Sequence, residues 1–179
     1  VMSALSPDGK RLAWWTEDGI RLHEAGGEIR KIKASPGMGS GPTSFHFSPD
    51  GRWLACAGTA GVAVYDLEST APEFVVPSPP AQPADVFFDT ASKHVFVAGD
   101  ALSRYSLDTG KAVEAPPLVD ADNLVAGYGD GWIATVSGDP RTAKFFDPSD
   151  GREIAAVPIG EPTAWVQRLP NGDVAMNLN

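Results

Sequence analysis

Apolar positions in this chain come in short runs, separated by turn residues, and the runs recur. The clearest stretch is 43–69. Phe45 and Phe47 alternate with polar neighbours, the period-2 signature of a half-buried strand. Ser48-Pro49-Asp50-Gly51 follows as a tight turn, in which Pro49 fixes its own φ and Gly51 accepts a positive one. Trp53 to Ala57 is continuously apolar, as expected of a strand covered on both faces. After the turn at Gly58–Gly61, Val62, Val64 and Tyr65 predict a third strand that ends at Asp66.

The same unit stands elsewhere. Ser6-Pro7-Asp8-Gly9 precedes Ser48-Pro49-Asp50-Gly51 by 42 positions. A third copy, Val86 to Ser92, keeps the aromatic strand and loses the proline. A fourth returns at Val125 to Ala134 and a fifth at Trp165 to Ala175. The third strand recurs in step, with His23, Tyr65, Tyr105 and Phe146 at spacings of 42, 40 and 41. A fourth strand follows each time, at Ile29–Ile32, Phe74–Val76, Ala112–Glu114 and Ile154–Val157. A period of this length, holding four strands, is the mark of a repeat architecture. The repeats fall at about 1–42, 43–84, 85–123, 124–162 and, in part, 163–179.

This pattern resembles the WD-repeat β-propeller family, with Tyr65-Asp66 and Phe146-Asp147 at the Trp-Asp position. The Ser-Pro-Asp-Gly turns also resemble the propellers of Tol-type periplasmic proteins and of prolyl peptidases. The resemblance implies an all-β fold. Its four-stranded antiparallel blades would number four complete and half of a fifth, expected to belong to a larger ring. The remaining strands would come from missing sequence or from another chain. A single propeller domain or fragment over 1–179 is the expectation. Such sheets bury two apolar faces by stacking, which leaves the loops free to vary.

Composition narrows the function. The net charge is −9, from 14 basic and 23 acidic residues, which argues against a nucleic-acid partner. No stretch approaches the ~20 apolar residues of a membrane span. The chain enters its first repeat directly at Val1-Met2 without a visible signal peptide, and is expected to be cut from something longer. Cys56 is the only cysteine and sits in an apolar run, where a buried inert thiol is expected. A cytoplasmic location is the expectation, with periplasm and secretion left open.

Candidate chemistry is sparse. Trp14-Trp15 should place at least one ring in the core between blades; a surface anchor is the alternative for the other, and a core role is the favoured one. His23 stands at the aromatic position of the third strand, so packing or hydrogen bonding is expected of it rather than ligation. Arg30, Lys31 and Lys33 suit a solvated edge strand protected by charge. The glycine-rich link 34–42 imitates a nucleotide loop, but a strand follows it where a phosphate site needs a helix N-terminus. Pro77 to Pro83 favours a stiff polyproline connection. Asp120, Asp122 and Asn123 lack the ligand number and spacing of a calcium loop. Asp139 and Arg141 could pair across their turn. No nucleophile elbow is present, and His23, His46 and His94 lack metal-ligand spacing.

The expectation is therefore a non-enzymatic scaffold, without cofactor or metal, that docks a protein or peptide on a loop face. Asp18, Met38, Asp100 and Arg141 are the candidate contacts. The alternative is an accessory or gating propeller of an enzyme, such as a serine peptidase, whose catalytic domain lies outside this chain. A ligand or metal site in a central channel is the third possibility.

Overall fold

The computed structural model describes residues 2–35, 38, 41–58, 61–69, 72–77, 85–98, 102–115, 127–129, 132–137, 142–159, 163–168 and 174–178. The elements are strands, grouped into two compact units, Val1–Val113 and Glu114–Asn179.

Three sheets make up the first unit. The first holds β1 (Ser3–Leu5), β2 (Arg11–Thr16), β3 (Gly19–Glu24) and β4 (Ile29–Ile32), side by side in chain order. The second repeats this with β5 (Pro42–Phe47), β6 (Trp53–Gly58), β7 (Gly61–Asp66) and β8 (Pro72–Pro77). The third holds β9 (Asp85–Phe88), β10 (His94–Ala98), β11 (Leu102–Ser106) and β12 (Ala112–Val113). Every pairing is antiparallel. In the second unit β13 (Gly127–Gly129), β14 (Trp132–Ser137), β15 (Thr142–Phe146) and β16 (Glu153–Pro158) form a fourth such sheet. The strands β17 (Thr163–Arg168) and β18 (Val174–Leu178) pair with each other.

The turn chemistry repeats atom for atom. Ser6 Oγ donates to Asp8 Oδ1 at 2.6 Å and accepts the Arg11 N–H at 2.8 Å. Forty-two residues on, Ser48 Oγ donates to Asp50 Oδ1 at 2.5 Å and accepts the Trp53 N–H at 2.9 Å. Gly9 and Gly51 close these turns at φ 71° and 72°. In the third copy Ser92 holds the same left-handed position at φ 52°. There Asp89 accepts the N–H groups of Lys93 and His94, so the turn survives without proline or glycine.

Packing follows from the period-2 alternation. Ala13, Ile20, Leu22 and Ile32 of the first sheet meet Phe45, Leu54, Cys56, Ala63 and Tyr65 of the second in one apolar core. The opposite face of the second sheet, with Trp53, Ala55, Val62, Val64 and Val76, meets Val86, Val95, Val97 and Leu107 of the third. The second sheet is thus covered on both sides, and all six residues of β6 and of β7 are buried. Polar stitches add to this. Arg11 Nη1 donates to Gly51 O at 2.8 Å, Arg30 Nη2 to Leu67 O at 2.6 Å, and the Asp50 N–H to Ser92 Oγ at 3.1 Å.

Two expectations need correction. The second strands are not all covered on both faces, because Leu12 is exposed. Among the described residues, the apolar packing of the first sheet is on the side that faces the second. Arg30 is also not a solvated edge charge, since its guanidinium reaches two carbonyls of the second sheet.

Candidate binding surface

One end of the first two sheets gathers the β2–β3 turn, the end of β4 and the described link residues 33–35, 38 and 41. Gly19 sits at φ 130°, and a Cβ there would lie 2.7 Å from Ile32 O and 3.3 Å from Ala34 N, so the turn touches the end of β4 and the start of the link through backbone. Gly58 at the end of β6 also comes close to the link: a Cβ would meet Met38 Cα and O at 3.0 Å. The Ser35 N–H donates to the Tyr65 hydroxyl at 3.0 Å.

Asp18 is the charged centre of this end. Its carboxylate accepts from Lys31 Nζ at 2.7 Å, from Thr16 Oγ1 at 2.7 Å and from Arg21 Nη2 at 3.0 Å. The Lys31 ammonium first, then the Thr16 hydroxyl and Arg21, hold this carboxyl below the usual carboxylate range. Cross-strand register sets Trp14 opposite Arg21, and Arg21 opposite Lys31. Trp14, Arg21, Lys31 and Asp18 therefore share one half-exposed patch. Trp15 points to the other side and packs against the first core, as expected of one ring of the pair.

Met38 requires a correction. It is no exposed loop tip but a core residue, 1% exposed and packed among Leu22, Phe45 and Tyr65. An unbranched thioether fills the gap under the link. Asp100 and Arg141 lie outside the described residues, as do 78–83, 120–123 and 138–140. Nothing in the isolated strings Trp14-Trp15 or Arg30-Lys31 showed that Arg21 and Lys31 would converge on Asp18. Only the β2–β3–β4 register brings them together.

A second polar cluster lies where β5 and β9 approach. Ser44 Oγ donates to Asp85 Oδ1 and accepts the Val86 N–H at 3.3 Å. His46 Nε2 lies 3.5 Å from the same carboxylate oxygen. Serine, histidine and aspartate meet here, yet the hydroxyl is bound to the carboxylate itself. That contact ties β5 to β9. His94 forms a similar tie, Nδ1 to Asp89 Oδ2 at 2.8 Å. Among the described residues no group of three or more His, Cys, Asp or Glu could hold a metal ion.

No family model matches the chain, and no curated protein matches it in sequence. Solved structures do. The Cps50 (Swd1) β-propeller domain of Myceliophteria thermophila superposes with a TM-score of 0.76 at 16% identity, over 99% of this chain and 62% of that one. The fold is a β-propeller. Hydrazine synthase of Kuenenia stuttgartiensis superposes with a TM-score of 0.69, also at 16% identity, over 97% of this chain and 54% of that one. The chain thus spans somewhat over half the length of these neighbours. The four-stranded sheets are propeller blades, and the turns and links between strands are the variable part.

Proposed function

We propose that this propeller segment is a non-enzymatic interaction module of the WD-repeat type, which docks a protein or peptide at the loop end carrying the β2–β3 turn. The observation behind this reading is the patch of Trp14, Arg21, Lys31 and Asp18. Trp and Arg dominate the energetics of protein contacts, and here Arg21 is held on Asp18 before any partner arrives. Asp18 pairs with both cations of the patch, so docking would not bury an unpaired charge. The polar clusters elsewhere satisfy themselves, as Ser44 and Asp85 do. Any catalysis associated with the protein would then belong to other chains or domains. A cytoplasmic location belongs to the same reading.

Photo-crosslinking tests it. A crosslinker at exposed Glu17, beside the patch, is compared in cells with one at exposed Glu28, in the β3–β4 turn at the other end of the sheet. The reading expects a discrete adduct from position 17 that disappears in Trp14→Ala and is absent from position 28. Equal labelling at both positions, or an adduct indifferent to Trp14→Ala, would contradict it.

A further inference from the structure

We draw no further inference here: the strongest candidate, the Ser44, His46 and Asp85 side-chain cluster where β5 approaches β9, is the strand-to-strand tie already described, and among the described residues nothing at it points to a ligand.

Discussion

Ser35 and Tyr65 are thirty residues apart, and the N–H of the first donates to the hydroxyl of the second over 3.0 Å. The bond pins the link between the first two blades to the third strand of the second. Both residues are buried, so Tyr65→Phe would strand a donor away from water. The expected cost is about 1–3 kcal/mol. Urea unfolding should show a lower midpoint with an unchanged slope.

Alkaline pH should destabilise the same core. Burial pushes both the Cys56 thiol and the Tyr65 hydroxyl above their ordinary values of 9.0 and 10.0. The unfolded chain then loses these protons at a lower pH than the folded one. Stability is full below pH 9 and falls progressively as pH rises beyond the ordinary values. Thermal melts between pH 8 and 11 should fall less steeply in the Cys56→Ala, Tyr65→Phe double variant.

Acid acts on Asp66 in the opposite sense. The Arg52 guanidinium donates to it at 2.7 Å, and with the Glu68 N–H it holds the carboxyl below its ordinary 3.8. The stabilising contribution is present above that value and is lost as pH falls through the lower, folded one. Arg52 is half exposed, so screening by water keeps the effect modest. Asp66→Asn should therefore lower stability modestly at pH 7 and flatten the acid limb of a stability–pH curve below pH 4, where wild type and variant converge.

Met38→Ala separates a core role from a docking role. Removing a fully buried thioether should cost roughly 2–5 kcal/mol through lost transfer energy and the cavity left behind. Denaturation measures this. A surface contact would leave stability unchanged.

The architecture was legible because its signals are local. Ser6-Pro7-Asp8-Gly9 and Ser48-Pro49-Asp50-Gly51 encode their own turns. The boundaries of β2 and β4 follow from Arg11–Thr16 and Ile29–Ile32 alone. Even the eroded third repeat could be placed, although Ser92 in the left-handed region was not foreseeable from residue type. The surface was less legible because it depends on register. Met38 sits in a glycine-rich segment with the composition of an exposed loop, and its burial is decided by Gly58 and Tyr65, far along the chain. Leu12 has the sequence environment of a covered residue, and its exposure is set by what packs on the first blade.

The central claim is that consecutive four-stranded sheets bury apolar faces against one another. The most direct measurement is a set of nuclear Overhauser contacts between the Tyr65 ring and the methyl groups of Ala13, Leu22 and Ile32, which share one core across the first two blades. The account predicts cross-peaks from the ring to methyls of the first sheet in the folded protein, lost together on unfolding. A folded protein whose Tyr65 ring shows contacts only within its own sheet would contradict it.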